Sequence, residues 1–305
     1  MRNKLLHSLF LATAVGITYL FADAWIGLYG ENNNYDNANS IVSFAIERPY
    51  VYRLLVPAIA RGLMLLTSLP ADIALVIVIM LSGIGLFYSV RYLAMAFDKD
   101  DTRASISAIL CVAITVIFCQ LNGKVYDLAT TMFFALLLGL LARGRLGLYY
   151  IVFPIAVLNR ETTALLIPFF AIYFILYQTP RRHILAGVLY QCTVFVVIYL
   201  LVTTVFADNP GELFVWNPAE VIGMYAAYPF VTLALLTIAS IALYIVFRGW
   251  IEKPAFLRIA FLCLLPIQLI LHLLMGYAFE VRVFAEGFPV IVLLVYAGRK
   301  TSLPG

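Results

Sequence analysis

The chain has 305 residues, of which 64% are hydrophobic and only 12% charged. A soluble domain carries roughly 25% charged residues, so this composition excludes a soluble domain of any size. Apolar runs long enough to cross a bilayer recur from end to end, and they are too long and uniform for barrel strands, which leaves an all-α, polytopic transmembrane helix bundle. The formal net charge of +4 sits on basic residues scattered through short loops, with no stripe of the kind that binds nucleic acid.

In chain order, Met1-Arg-Asn-Lys4 precedes an apolar stretch that is long for a signal peptide and reads as a retained first spanning helix, about 5–25. The long polar stretch 23–50 follows, and then a helix at about 51–68 that is apolar but carries Arg53 and Arg61. Further apolar segments lie at about 71–96, 104–121, 127–142, 147–158, 162–177, 183–206, 223–247, 256–277 and 283–298, which makes about 10 membrane segments in one integral-membrane domain, 1–305. The cysteines (Cys111, Cys119, Cys192, Cys263) all fall within apolar runs without metal spacing and read as small hydrophobes. His272 lies inside an apolar run and reads as a hydrogen-bonded helix-packing histidine.

Basic residues in the connecting loops set the orientation. With the N-terminus inside and helix 51–68 lying along the outer surface, fourteen of the twenty Lys and Arg residues fall on the cytoplasmic side, the C-terminal Arg299 and Lys300 among them. If helix 51–68 crossed instead, the loops bearing Lys99/Arg103 and Arg143/Arg145 would move outside and the bias would be lost. The same arrangement puts only Asp98, Asp100, Asp101 and Glu252 inside and every other carboxylate outside. The expected setting is therefore the plasma membrane, with both termini cytoplasmic and a carboxylate-rich outer face.

Segment 147–177 has cytoplasmic flanks on both sides, so it rises and returns. Its first limb has about twelve residues, or ~18 Å of helix, against a hydrocarbon core of roughly 30 Å. Arg160 and Glu161 are thus expected at the tip of a short helical hairpin. A charged residue at mid-membrane costs about 2.5–3.5 kcal/mol on insertion scales. Irregular backbone at such depth is tolerated only where it is buried in protein or lines a cavity, so the tip predicts a cavity open to the outside.

Other outer-face residues are candidates for that site. Asp36, between Tyr35 and Asn37, is a candidate general base or metal ligand, and Asp23, just past the first helix, is the second. Arg53 stands beside Tyr50 and Tyr52 as a candidate anion ligand; eight residues separate it from Arg61, which places the two on one side of a helix. Lys124-Val-Tyr-Asp127 opens a helix, with Asp127 suited to N-capping. Glu280, Arg282 and Glu286 open the last helix, with Arg282 and Glu286 at the i, i+4 spacing of a helical ion pair. Asp72 and Glu220 read as helix-start residues. No Walker A loop, GxGxxG, HExxH, GxSxG or zinc spacing occurs. What remains is a set of arginines suited to phosphate or carboxylate, alongside carboxylates for base or metal work.

The layout resembles the GT-C superfamily of integral-membrane glycosyltransferases: a first helix, a long acidic outer loop, a surface-lying helix and a bundle with short or broken helices. The stretches Arg53-Leu-Leu-Val-Pro57, Tyr126-Asp127, Asn159-Arg-Glu161 and Glu280-Val-Arg282 are similar to small bacterial relatives of that superfamily. The resemblance implies a catalytic acid in the first outer loop, at Asp36 or Asp23. It also implies basic residues that grip the phosphate of a polyprenyl-phosphate sugar, at Arg160, Arg282, Arg53 and Lys124, with Glu161 orienting Arg160. A divalent cation, Mg or Mn, is a possible cofactor. The expected partners are the polyprenyl-phosphate donor, membrane lipids and a glycan, lipid or protein acceptor, recognised by the membrane part or by a partner protein. Two other readings stand beside this one. One is a transporter or lipid flippase with an anion site at the hairpin tip, although no internal repeat supports it. The other is a non-catalytic membrane subunit whose charges bind a partner helix.

Overall fold

The computed structural model describes residues 2–29, 37–120, 123–177, 179–213, 216–277 and 279–296. Among these the chain is helical throughout. The α-helices are α1 (Arg2–Tyr29), α2 (Ala38–Val42), α3 (Leu55–Thr67), α4 (Ala71–Ala94), α5 (Asp101–Cys119), α6 (Asp127–Ala142), α7 (Leu146–Asn159), α8 (Leu166–Leu176), α9 (Arg181–Val205), α10 (Pro218–Ala227), α11 (Pro229–Phe247), α12 (Ala255–Met275) and α13 (Phe288–Tyr296). Short 3-10 turns occupy Tyr50–Tyr52, Glu161–Leu165, Trp250–Glu252 and Val281–Gly287. Six helices, α1, α4, α5, α9, α11 and α12, are long and apolar enough to cross a membrane, and α3, α6, α7 and the Glu161–Leu176 limb are shorter apolar helices.

Several boundaries differ from the sequence expectation, each for a local reason. The helix at 51–68 is a 3-10 turn over Tyr50–Tyr52, a bend at Arg53, and then α3. Arg53 therefore lies outside α3 and is buried, while Arg61 is exposed, so the eight-residue spacing does not put them on one side. The single segment at 223–247 is broken between α10 and α11. Pro229 has no amide to donate, and it pushes Tyr228 out of the helical region, to φ −119° and ψ 64°. The first helix continues past residue 25 to Tyr29, so Asp23 lies within α1 rather than beyond it.

The core forms two apolar clusters. One gathers α1, α3, α4 and α5 around Leu75, Ile79, Leu86, Phe87 and Val112. The other gathers α6, α7, α8, α12 and α13 around Tyr149, Phe153, Phe169, Phe256 and Leu264. α6 packs along both α4 and α7 and so joins them. Lipid tails are as apolar as leucine, so cohesion in a bilayer comes from close packing and interhelical hydrogen bonds. The hairpin shows both. Pro154 inside α7 leaves the Tyr150 carbonyl without its helical partner, and the Tyr190 hydroxyl of α9 donates to it at 2.8 Å. The fully buried Tyr149 hydroxyl donates to Gln191 at 2.7 Å. Gly187 allows this approach, since a Cβ there would stand 2.6 Å from Tyr150 Oη and Phe170 Cζ.

Polar contacts tie the helix ends together. At one end of the bundle, Arg91 pairs with Asp101, the Arg143 guanidinium donates to the Tyr92 carbonyl at 2.9 Å, and Lys253 donates to the Val246 carbonyl at 2.6 Å. The opposite ends of α6, α7, α12 and α13 bring together Asp127, Arg160, Glu161, Glu280, Arg282 and Glu286.

Candidate functional site

α7 runs to Asn159 and the chain turns at Arg160 in extended backbone (φ −161°, ψ 137°). Glu161–Leu165 forms a 3-10 turn, and α8 returns. The turn is held from both sides. The Thr163 hydroxyl donates to the Ala156 carbonyl at 3.0 Å, and the Asn159 amide donates to Thr130 Oγ1 at 2.8 Å. The Leu54 amide donates to the Leu158 carbonyl at 2.9 Å, which fixes the bend before α3 against the hairpin tip. That last bond brings Arg53 to Glu161.

Arg53 makes a two-pronged contact with Glu161, Nη2 to Oε1 at 2.8 Å and Nε to Oε2 at 3.3 Å, the fork geometry that suits arginine and carboxylate. Its remaining amino group donates to the Tyr126 hydroxyl at 2.6 Å, and the guanidinium carbon lies 4.5 Å from the Tyr126 ring centre and 5.3 Å from that of Tyr50. Burial works against the Arg53 charge, but Glu161 and Tyr126 more than offset it and the pKa is raised. Burial, with Tyr126 next in weight, pushes the Tyr50 phenol well above its usual range, so it stays a neutral donor.

Asp127 is the centre of the second group. Its fully buried carboxylate takes Arg160 at 3.3 Å and Arg282 at 3.2 Å, and it accepts the Lys124 amide at 2.8 Å. Tyr126 occupies the N-cap position of α6, and Asp127, expected as the cap, is the first helical residue and serves as a counter-ion. Arg160 also reaches the fully buried Glu286 at 3.3 Å, and Glu286 accepts from the Thr162 hydroxyl at 2.8 Å and from Gln268 Nε2 at 3.0 Å. Arg282 pairs with Glu280, which also accepts the Tyr277 amide at 3.2 Å.

Two expected pairings are therefore overturned. Glu161 holds Arg53, and Arg160 is oriented instead by Asp127 and Glu286. Arg282 and Glu286 do not pair, because Val281–Gly287 is a 3-10 turn. With three residues per turn, positions four apart point about 120° away from each other.

These groups floor a cavity of about 420 Å³, within the range of roughly 300–1,000 Å³ for small-molecule sites. Arg53, Arg160, Glu161, Glu280 and Arg282 line it, and apolar and aromatic residues of the Tyr50–Tyr52 turn, α9 and α12 complete the walls. Of the carboxylates, Glu161 is the most exposed to it, with its side chain 34% accessible. Lys124 lies behind Tyr50, its ammonium 4.9 Å from the ring centre, in a small recess with Trp25, Ile41 and Tyr126. Asp23 is exposed on α1 and takes no part in the cluster, and Asp36 lies outside the described residues. Among the described residues no three His, Cys, Asp or Glu side chains converge as metal ligands.

Sequence reasoning missed Tyr126, Thr162 and Gln268 and discounted His272. The last two lie four residues apart on α12, one turn of the same helix face, and both are buried and line the cavity. Two polar residues at that spacing inside an apolar helix were the available signal. His272 Nε2 is hydrogen-bonded to the Tyr225 hydroxyl at 2.7 Å, in keeping with the expected packing bond. No family model, curated protein or solved structure matches the chain.

Proposed function

We propose that the chain is an integral-membrane glycosyltransferase, resembling the GT-C superfamily, that moves a sugar from a polyprenyl-phosphate donor to an acceptor at the outer face of the plasma membrane. The observation that carries this reading is the floor of the cavity: three buried arginines, each held in place by a carboxylate, beneath walls that are mostly apolar. Prefixed donors are worth most where charge develops. Arg160 Nε and Arg282 Nε are buried without a hydrogen-bond partner, so the carboxylates leave neither guanidinium fully satisfied, as suits an anion site. The apolar walls suit the first isoprene units, and the exposed apolar faces of α9 and α11 suit lipid.

In this reading Asp36 removes the acceptor hydroxyl proton and the acceptor oxygen attacks the anomeric carbon. The bond from that carbon to the phosphate oxygen breaks with inversion, and the polyprenyl phosphate leaves with its added negative charge facing Arg160 and Arg282. Trp25 and Ile41, on either side of Asp36 in the chain, share a small recess with Lys124 and Tyr126. Arg160 and Glu161 line a cavity of their own chain, which supports a ligand site over a docking face for a partner helix.

The test is transfer from an isoprenyl-phosphate sugar by the purified chain in lipid nanodiscs. Asp36→Asn is expected to abolish turnover and leave donor binding intact, and Arg160→Ala is expected to weaken donor binding. Unchanged turnover in Asp36→Asn sinks the assignment of the base, and unchanged donor affinity in Arg160→Ala sinks the phosphate site.

A further inference from the structure

A second cavity, of about 550 Å³, lies at the foot of the hairpin, at the opposite end from the arginines of the tip. Its walls are Leu146 and Tyr150 of α7, Phe170 and Phe174 of α8, and Gly187 and Tyr190 of α9. It begins on the first turn of α7, roughly 20 Å along that helix from Arg160. The cavity is a groove open at its side, where the lining residues His183, Ala186 and Tyr190 are exposed. In a bilayer that side faces lipid.

The rim of this groove is basic. Arg145 precedes the lining residue Leu146, and Arg181 and Arg182 fall between the lining residues Thr179 and His183. All three arginines are exposed, and none forms an ion pair among the described residues. The neighbouring chain offers no counter-ion either, since the stretches 128–160 and 162–207 contain no Asp or Glu. At the hairpin tip every arginine is matched by a carboxylate, whereas the charge of this rim is uncompensated. Tyr150 and Tyr190 stand one and two turns in from the rim with their rings edge-on, 5.0 Å between centres. Tyrosines at that depth are typical of the boundary between headgroups and acyl chains.

An apolar groove open to the bilayer accepts an acyl chain, and free guanidinium groups above it accept a phosphate. Basic pockets between membrane helices bind anionic headgroups in this way. A zwitterionic headgroup brings an ammonium that the same arginines repel, and a partner helix would need an acidic end to match the rim. Orientation of the chain by its basic loops also calls for arginines here, but it calls for no groove beside them. We infer that the groove between α7, α8 and α9 is a binding site for an anionic phospholipid, with an acyl chain against Phe170, Phe174 and Tyr190 and the headgroup phosphate at Arg145, Arg181 and Arg182. α7 and α8 are the two limbs of the hairpin, so the lipid braces the element that carries Arg160 and Glu161. The site is separate from the donor cavity and does not rest on the donor reading.

The experiment titrates the full chain in detergent with dioleoyl phosphatidylglycerol, with dioleoyl phosphatidylcholine and with glycerol phosphate, counting bound lipid by native mass spectrometry and following thermal unfolding. Phosphatidylglycerol is expected to bind more tightly than phosphatidylcholine and to raise the melting temperature, and glycerol phosphate, which has no acyl chain, is expected not to bind. A basic residue near an anionic headgroup contributes about 1 kcal/mol, or about five-fold in affinity. The double variant Arg181→Gln/Arg182→Gln should therefore bind phosphatidylglycerol about 25-fold more weakly, with phosphatidylcholine unchanged. Ala186→Leu narrows the groove and should weaken phosphatidylglycerol with every arginine in place. All three positions are exposed, so both variants should melt with wild type when lipid is absent. Equal affinity for the two phospholipids, or a preference that survives both variants, overturns the site and leaves the arginines to orientation alone. A preference that is lost in Arg160→Ala but kept in the double variant puts the lipid at the hairpin tip and overturns it as well. Glycerol phosphate that binds as tightly as the phospholipid overturns the acyl groove, and a dimer that Ala186→Leu dissociates gives the groove to a second copy of the chain instead.

Discussion

Asp127→Asn tests whether the floor of the cavity is held together by charge. The wild-type carboxylate is fully buried and faces Arg160 at 3.3 Å and Arg282 at 3.2 Å. Breaking a buried ion pair by removing one partner costs about 3–5 kcal/mol, because it leaves an uncompensated charge. Here two arginines lose a partner, but Glu286 stays on Arg160 and Glu280 on Arg282, and the asparagine oxygen can still accept the Lys124 amide. The expected cost is therefore at the lower end, about 3 kcal/mol, which for a chain of this size lowers the melting temperature by roughly 6–12 °C. The assay is thermal unfolding of the purified chain in one detergent. Arg282→Gln is measured alone and in the Asp127→Asn background, and Asp23→Asn serves as an exposed control on α1. The double-mutant cycle should show coupling of about 0.5–3 kcal/mol, because Arg282→Gln removes the charge that Asp127→Asn has stranded. An Asp127→Asn protein that melts with wild type, or two substitutions whose effects simply add, would refute the counter-ion reading of Asp127.

Three further outcomes follow from single contacts. Arg53→Lys keeps the charge but loses the fork on Glu161 and the bond to Tyr126, so affinity for an isoprenyl phosphate should fall about ten-fold, while Arg61→Lys, exposed on α3, should leave it unchanged; equal effects would remove Arg53 from the site. Tyr190→Phe strands the Tyr150 carbonyl next to Pro154 and should lower stability by about 1 kcal/mol, read as a shift in thermal unfolding. Gly187→Ala forces a methyl into Phe170 and Tyr150 at a cost of about 1–3 kcal/mol, and Phe170→Leu in the same chain should recover part of it, a recovery that an effect confined to α9 would not show.

Much of the architecture was legible before any coordinates. Length and apolarity locate the six long helices, and the shortness of the limb before Arg160 marks a hairpin tip, because a helix rises a fixed ~1.5 Å per residue. The break at Pro229 was also open to reading, since proline both lacks the amide and restricts the residue before it. The bend at Arg53 was open to reading in the same way, because the Pro57 ring clashes with the carbonyl four residues earlier, at Arg53, and so fits only the first turn of α3. The structure describes nothing of Asp36, so its role stays with the sequence reading and the transfer assay.

The sequence by itself determined which charges lie near the same end of the bundle, since helix length and loop position are local properties of the chain. Only the tertiary structure decided which charge meets which. Glu161 pairs with Arg53, 108 residues away, instead of orienting its neighbour, and Arg282 meets Asp127 across 155 residues. Local spacing misjudged Arg282 and Glu286 because it assumes an α-helix, and the turn there is 3-10. Long-range partners are chosen by where several helices end and how closely their backbones approach, and neither is encoded in the spacing along any one of them.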